Sequence, residues 1–204
     1  MKYSSLNRGL FIILSTALLS SFLFSQDPSG GDKKMPSQEE MMARWKASMT
    51  PGDMHKKLGI FVGSWNAEVK ICEKGPDSPP VVSKGTASYS LVYGGRYLKQ
   101  EFKGEMMGHP FIGTGYTAYD NMKKKYTGTW IDNMGTGIST MEGTIDDEGK
   151  TLTLWGKMDE PMTGELNKDV KYVLHIIDKN KHIFESYDGT ATQPSFQITY
   201  TRKK

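Results

Sequence analysis

From Phe61 onward the sequence consists of short segments with alternating apolar and polar residues, separated by Gly, Asp and Asn. Alternation with a period of two is typical of β-strands that bury one face. Turn residues suited to hairpins lie at Gly94-Gly95, Asp120-Asn121, Asp147-Glu148-Gly149 and Asp178-Lys179-Asn180. Strands are predicted near 62–72, 82–93, 95–105, 110–120, 125–133, 137–146, 151–159, 169–178, 181–188 and 195–203.

About ten hairpin-linked strands with no helix between them form a meander, and a meander removes its exposed edges by closing. The predicted fold is therefore all-β: a closed antiparallel up-and-down barrel of about ten strands, of the lipocalin or calycin kind, over residues 60–204. A barrel of this size encloses side chains or one small ligand.

Two short helices are predicted before the barrel, within residues 37–59. Ser37 and Glu40 have the S-x-x-E spacing of a capping box at the start of a helix. Met41, Trp45 and Met49 follow at four-residue spacing, so they form one apolar stripe on that helix.

The second helix is predicted to begin at Thr50-Pro51 and to end near Leu58-Gly59, since proline is well tolerated in the first turn. It leads almost directly into the first strand. We therefore expect the helices to close one end of the barrel, with the stripe of the first helix packed against it.

The N-terminal residues 1–25 have the pattern of a secretory signal. Lys2 and Arg8 are followed by the apolar run Leu10 to Leu19 and then by small residues. An uncleaved anchor is the alternative. Residues 26–36 are rich in Pro, Gly and charge and are predicted to be a linker. The expected mature protein begins near Gln26 and is secreted or periplasmic, with no stable membrane association.

The charge balance excludes a large class of partners. Two of the 26 basic residues, Lys2 and Arg8, lie in the predicted signal, which leaves 24 basic against 23 acidic residues. A chain so close to neutrality has no electrostatic attraction to phosphate backbones, so nucleic acid is not an expected partner. Cys72 is the only cysteine, and an intrachain disulfide is therefore impossible.

Polar residues that fall on the apolar phase of a strand are expected to face the barrel interior. They and the aromatic residues beside them give a candidate ligand-binding set: Arg96, Gln100, Trp130, Asp132, Tyr200 and Arg202. A guanidinium group is the cation best suited to an enclosed carboxylate or other anion. The alternative is that Arg96 or Arg202 pairs with Asp132 or Glu185 as an internal structural clamp.

Short motifs in a fixed order resemble a known bacterial family. They are His55-x-x-Leu58, Gly63-x-Trp65, Gly94-Gly95-Arg96-Tyr97-Leu98, Pro110-Phe111-x-Gly113-x-Gly115, Tyr119-Asp120-Asn121, Tyr126-x-x-x-Trp130-Ile131-Asp132, Gly143 with Asp146, and Tyr200-x-Arg202. The chain resembles domain of unknown function 1579, a family related to lipocalin-like barrels, from His55 to Arg202. The resemblance implies the fold, and it implies no activity, cofactor or catalytic residue.

The hypothesis that these patterns favour is a module that binds a small apolar or amphipathic, and possibly anionic, molecule inside the barrel. One alternative is a haem protein of the nitrobindin-like kind, which needs an axial histidine. His175 lies in a predicted strand, His109 and His182 lie near turns, and His55 precedes the barrel.

A second alternative is an enzyme that uses the barrel cavity. Asp132, Glu185 and His175 supply titratable groups for acid–base chemistry, but no spacing in the sequence brings them together. No nucleophile, phosphate-loop or zinc motif is present, so no catalytic residue, cofactor or oligomeric state is specified. A copper site is a further alternative, with candidate ligands in two clusters: Met41, Met42, Met49, Met54 and His55, and Met106, Met107 and His109. Packing of the methionines is the preferred interpretation.

Overall fold

A computed structural model describes residues 35–72 and 79–204. The predicted signal peptide 1–25 and all but the last two residues of the predicted linker 26–36 lie outside the described residues. Residues Gln38–Lys204 form one compact unit. In the described part of the chain, no helix combines the length and the apolar character needed to cross a bilayer.

Two α-helices and a 3-10 helix precede ten strands. The helices are α1 (Gln38–Met49), α2 (Asp53–Lys57) and the 3-10 helix Leu58–Phe61. The strands are β1 (Gly63–Ile71), β2 (Val81–Val92), β3 (Tyr97–Met106), β4 (His109–Asp120), β5 (Lys125–Asp132), β6 (Ser139–Ile145), β7 (Thr151–Glu160), β8 (Glu165–Asp178), β9 (Lys181–Asp188) and β10 (Phe196–Arg202).

Every strand pairs antiparallel with its neighbours in the sequence, and β1 pairs with β10 to close the barrel. The register across this closure places Trp65 opposite Arg202 and Ala67 opposite Tyr200. The prediction of a closed up-and-down barrel of about ten strands is confirmed. It succeeds because each strand carries its own alternation and each turn its own local chemistry.

The turns at one end show that chemistry directly. Gly94 and Gly95 adopt φ values of 67° and 83°, in the left-handed region that glycine enters at little cost. In the next turn, one oxygen of Asp120 accepts hydrogen bonds from the backbone N–H groups of Met122 (2.8 Å) and Lys123 (3.0 Å).

The two ends of the barrel differ, and we name them by what covers them. The closed end carries the turns after β2, β4, β6 and β8, the C-terminus, and the helical segment before β1. The open end carries the remaining connections, and no described helix lies across it.

The closed end is sealed by α2 and the 3-10 helix. Leu58 and Phe61 are buried within the core cluster. The indole Nε1 of Trp65 donates to the Phe61 carbonyl (2.7 Å), and the hydroxyl of Tyr126 donates to the Met54 carbonyl (2.8 Å). The expectation that helical structure closes one end is confirmed for this segment.

Helix α2 begins later than the sequence analysis predicts. Its N-cap is Gly52, whose N–H donates to Nδ1 of His55 (3.1 Å). The hydroxyl of Thr50 instead donates to the carbonyl of Lys46 (2.6 Å), at the end of α1. Thr50 therefore terminates the first helix rather than starting the second.

The predicted packing of α1 is wrong. None of its residues is buried. Trp45 is 58% exposed, and Met41 and Met49 are also exposed. Asn121 and Arg96 donate hydrogen bonds from the barrel to the C-terminal end of the helix, while the side chains of the stripe stay largely exposed. Helical spacing identifies a shared face, but it does not determine whether that face is covered.

Candidate ligand-binding site at the open end of the barrel

Burial of the inward-facing side chains changes along the barrel axis. Near the closed end Trp65, His182 and Tyr200 are at most 2% exposed. Near the open end four inward aromatic residues are only half-buried, namely Trp130, Tyr172, Phe184 and Phe196, whereas Phe111, which stacks on Trp130, is buried. Solvent therefore reaches part of an aromatic inner wall at the open end. We call the mouth of the barrel lined by these four residues the chamber.

One wall of the chamber is the indole ring of Trp130, which lies flat on β4. A side chain at Gly113 would meet this ring, since an added Cβ would lie 2.1 Å from Cζ2, and Gly115 lies beneath the same ring. The indole Nε1 donates to a carboxylate oxygen of Asp132 (2.8 Å), and the other oxygen of Asp132 accepts from the N–H of Met134 (2.8 Å). The two glycines therefore leave room for the Trp130 ring, and Asp132 fixes the orientation of that ring.

The facing wall is an aromatic stack on β8, β9 and β10. Tyr172 stacks on Phe184 with centroids 5.7 Å apart, and Phe184 meets Phe196 edge-on at 6.2 Å. Ser186 lies between Tyr172 and Phe196 as the cross-strand partner of both. Tyr172, Phe184 and Phe196 are not in the candidate set, although the period-two signal was present in Phe184 and Phe196 on β9 and β10.

The floor of the chamber contains a buried hydrogen-bonded group. The amide Nε2 of Gln100 donates to the Tyr200 hydroxyl (3.2 Å), and the hydroxyls of Tyr89 and Tyr200 share a hydrogen bond. Burial raises the pKa of both tyrosines, so both phenols stay protonated. Gln100 pairs with Gly115, which in turn pairs with Trp130, so the floor is continuous with the first wall.

The mouth of the chamber carries charges. The ammonium of Lys168 lies 3.0 Å from Asp188 and 4.0 Å from Glu160. The hydrogen bond to Asp188 raises the pKa of Lys168, with burial acting against it. With Asp132, the described residues of the mouth include three carboxylates and one ammonium, an arrangement that favours a neutral or positively charged group over an anion.

The two arginines of the candidate set lie at the closed end, away from the chamber. Arg96 lies in the turn before β3 and donates to the carbonyls of Tyr93 (2.9 Å) and Met49 (2.8 Å). Arg202 donates to the carbonyls of Lys179 (2.7 Å), Val62 (2.6 Å) and Ile60 (2.7 Å).

The guanidinium of Arg202 also lies over the ring of Trp65, 4.1 Å from its centroid. Neither carboxylate expected as its partner is in place, since Asp132 lies at the open end and Glu185 points outward. Strand phase gives the side to which a residue points but not its depth. At the last position of β10, Arg202 spans the rim and satisfies the carbonyls of the closing segment.

The haem alternative requires an inward histidine with an open face, and neither the buried His182 nor His175 provides one. His182 is inward, but its ring stacks on Tyr200 at 4.4 Å and meets Trp65 edge-on at 4.4 Å, while Phe61 covers it at 5.1 Å. No face is left for a porphyrin. His175 points outward and pairs with Glu185.

The acid–base residues of the enzyme alternative do not meet in one pocket. His175 Nε2 lies 3.2 Å from Glu185 on the outer wall, whereas Asp132 lies inside the mouth. The carboxylate of Glu185 also accepts from Tyr187 (2.7 Å) and Gln197 (2.8 Å). Burial alone raises the pKa of Glu185, but these hydrogen bonds together with His175 hold that pKa below its usual value.

The copper alternative requires a group of metal-binding side chains. Among the described residues, no group of three or more His, Cys, Asp and Glu side chains is arranged to hold a metal ion. The exposed methionines of α1 show that packing does not explain that stripe either.

The sequence of this chain matches a family model over the whole barrel. Residues 50–202 match the model of a family described as "Protein of unknown function (DUF1579)". The chain belongs to this family. The matched range starts just before α2 and ends at Arg202, so it includes the closing segment and all ten strands but not α1.

Individual relatives add information on the fold. Penicillin-binding protein 3 of Bacillus subtilis (strain 168) is 28% identical over 144 residues, which cover 69% of this chain and 21% of that protein. This chain thus spans about a fifth of that relative. The crystal structure of Rv2717c from M. tuberculosis has 16% identity and a TM-score of 0.51, covering 76% of this chain and 100% of that one.

An S-type phycobiliprotein lyase, CPES from Guillardia theta, is 11% identical with a TM-score of 0.49 over 83% of this chain and 99% of the lyase. At these identities the structural likeness concerns the fold alone.

Proposed function

We propose that this protein is an exported binding module that holds a small apolar or amphipathic molecule in the chamber. The observation that carries the proposal is the axial gradient of burial, which leaves an aromatic inner wall exposed at one end of the barrel. Exposed apolar surface costs about 25 cal/mol per Å², so a ligand that covers Trp130 and the facing stack gains binding free energy from it.

The charges at the mouth determine the polar end of the ligand. Asp132, Glu160 and Asp188 outnumber Lys168, whose ammonium is already shared between Asp188 and Glu160. An anion would be repelled here, and both arginines that favoured an anion lie at the other end. The proposed ligand therefore has an apolar body and an uncharged or positively charged polar group.

Trp130, Asp132, Gln100 and Tyr200 form the part of the candidate set that the proposal retains. The half-buried amide of Gln100 gives the floor one polar point, and its hydrogen bond to the buried hydroxyl of Tyr200 holds it in place. A single polar group in an apolar pocket orients an amphipathic ligand.

A matched pair of fluorescent probes tests the proposal. N-phenyl-1-naphthylamine is neutral, and 1-anilinonaphthalene-8-sulfonate is the same ring system with a negative charge. Residues 26–204 contain the whole of the compact unit Gln38–Lys204 and suffice for the titration. We expect saturable binding of the neutral probe, with the sulfonate bound at least tenfold more weakly.

Two variants locate the site. Ser186→Phe places a new ring between Tyr172 and Phe196, so it fills the chamber and should abolish binding of the neutral probe. Thr144→Phe adds the same ring on the exposed outer face of β6 and should leave binding unchanged. Absence of binding by the wild type, or equal binding by Ser186→Phe, would overturn the proposal.

The export part of the proposal rests on residues 1–25. N-terminal sequencing of the protein recovered from the medium or the periplasm should give a start near Gln26. Recovery of intact Met1 in the membrane fraction would contradict it, and would leave the ligand-binding proposal standing.

A further inference from the structure

We infer that the closed end of the barrel is a docking surface for an anionic lipid bilayer. The surface consists of the apolar residues Trp45, Met49, Tyr93, Tyr97 and Met122 together with the cations Lys46, Lys123 and Lys124; we call it the closed-end surface. The inference does not depend on the proposed ligand, because the chamber opens at the other end.

The apolar members of this surface are brought together by hydrogen bonds to the end of α1. Asn121 Nδ2 donates to the carbonyls of Ala47 (3.1 Å), Ser48 (3.2 Å) and Thr50 (2.8 Å), which places Met122 beside the helix. Arg96 Nη2 donates to the Met49 carbonyl (2.8 Å), which brings the adjacent turn of Tyr93 to the same place.

These apolar side chains are exposed to an extent that is unusual for their size. Tyr93 is 75% exposed and Met122 is 80% exposed, each at the tip of a turn, and Trp45 lies one helical turn before Met49 on α1. Tyr93 also has a φ of 50°, which is uncommon for a residue with a side chain and is a mark of functional positions. Its ring is held edge-on to Tyr97 at 5.9 Å.

Cations surround the apolar residues. Lys46 and Lys124 have no ion pair within the described part of the chain, and Lys123 lies at the limit of one, 4.0 Å from Glu142. Exposed Trp and Tyr with neighbouring lysines are the combination found in proteins that lie on a membrane surface. The rings enter the headgroup region while the ammonium groups contact lipid phosphates.

The distribution of charge along the barrel favours the same orientation. The closed-end segments 50–63, 92–97, 120–125, 145–151, 178–181 and 202–204 contain twelve Lys and Arg and six Asp and Glu. The described open-end connections, each counted with one flanking residue, contain the acids Asp132, Glu160, Glu165 and Asp188 and no Lys or Arg. An anionic surface thus attracts the closed end and repels the open end.

The same charges argue against a second copy of the chain as the occupant. A symmetric dimer through this surface would place two basic faces against each other, which is unfavourable. A bilayer with anionic lipids supplies both the apolar layer and the opposite charge. Such binding is reversible and salt-dependent. It is therefore compatible with the expectation that the mature protein has no stable membrane association.

Co-sedimentation of residues 26–204 with vesicles tests the inference. We expect binding to vesicles of phosphatidylglycerol and phosphatidylcholine at low salt, loss of binding at 0.5 M salt, and little binding to pure phosphatidylcholine. The pair Lys46→Gln and Lys124→Gln should weaken binding about thirtyfold, at roughly 1 kcal/mol per lysine near a charged bilayer. Trp45→Ser with Met122→Ser should weaken it by a similar factor.

The matched control lies at the open end, where Met162 and Leu166 are equally exposed. Met162→Ser with Leu166→Ser should leave vesicle binding unchanged. The inference is overturned if binding does not depend on anionic lipid, or if the open-end pair is the one that abolishes it. It is also overturned if sedimentation velocity shows a dimer that the Trp45 and Met122 substitutions dissociate, since a second copy would then cover the surface.

Discussion

Tyr200 and His182 stack face to face inside the barrel, with ring centroids 4.4 Å apart and ring planes 20° apart. Neither ring nitrogen of His182 has a hydrogen-bond partner among the described residues, although both nitrogens are buried. Burial, assisted by the positive charge of Arg202, lowers the pKa of His182 to about 3. Phe61, Trp65 and Tyr89 complete the enclosure and supply no charge.

This arrangement makes the barrel sensitive to acid. Between pH 6.5 and 3 the histidine takes up a proton in the unfolded chain but not in the folded one, so the free energy of unfolding decreases as the pH falls. From pH 7 to 4.5 we expect a loss of roughly 2 to 3 kcal/mol from this group. Urea unfolding at the two pH values measures it.

The variant His182→Phe keeps a ring in the same space and removes both unpartnered nitrogens. It should be at least as stable as the wild type at pH 7, because no polar atom is left unsatisfied. Its loss of stability at pH 4.5 should be correspondingly smaller. His109→Phe, exposed at the start of β4, is the control that should retain the wild-type acid sensitivity. An equal decrease in all three proteins would contradict this role of His182.

Arg202 is predicted to hold the closing segment in place. Its side chain reaches the carbonyls of Ile60 and Val62 before β1 and of Lys179 after β8, so it links three parts of the chain. Arg202→Lys keeps the charge but loses the planar set of donors. We expect a decrease of about 2 to 4 kcal/mol in the free energy of unfolding, at 1.5–3 kcal/mol per hydrogen bond to a charged group with partial compensation by water. Lys203→Met should change stability by less than about 0.5 kcal/mol, and equal values for the two variants would refute the link.

The contact between the Trp130 ring and Gly113 of β4 gives a prediction about the chamber. Gly113→Ala should push the indole away, since the added Cβ would lie 2.1 Å from ring atom Cζ2 and the backbone of β4 is fixed by its neighbours. Overpacking of this kind costs roughly 1–3 kcal/mol. The near-ultraviolet circular dichroism of Trp130 should change with it.

Gly135→Ala is the matched control, because nothing lies within 4 Å of a side chain at that position. It should preserve both the spectrum and the stability. A Gly113→Ala variant with the wild-type spectrum would show that the ring does not rest on β4.

The strands were predictable because their determinants are local. Alternation such as that from Trp65 to Ile71 and turn residues such as Gly94-Gly95 act over a few positions, and their sum leaves closure as the only arrangement without free edges. The pairings within the candidate set were partly predictable too. Trp130 and Asp132 lie on the same phase of β5, which brings their side chains together. Gln100 and Tyr200 both lie on the inward phases of their strands, where they can meet.

Two properties could not be predicted from the sequence: how far along the barrel axis a side chain lies, and which distant segment packs over it. Phase alone places Arg202 inside, yet its position at the end of β10 takes it to the rim. His182 lies just after a turn and is nevertheless among the most buried residues, because the 3-10 helix from a distant part of the chain covers it. The α1 stripe has the spacing of a packed face, but its side chains are exposed. These properties depend on contacts between distant segments, which no local pattern encodes.

The attachment of α1 to the barrel gives the last prediction. The amide of Asn121 donates to three carbonyls at the end of the helix, which carry partial negative charge and no longer have partners within the helix. Asn121→Asp replaces these donors by a carboxylate that accepts only and is repelled by the same carbonyls. We expect the amides of Gln38–Met49 to exchange hydrogen faster, while the strands keep their protection because the barrel core does not include α1. Asn167→Asp makes the same change at the open end, where the described hydrogen bonds of Asn167 use its backbone N–H and not its side chain, and should leave exchange in α1 unaltered. Unchanged protection of α1 in Asn121→Asp would show that the hydrogen bonds of Asn121 do not hold the helix.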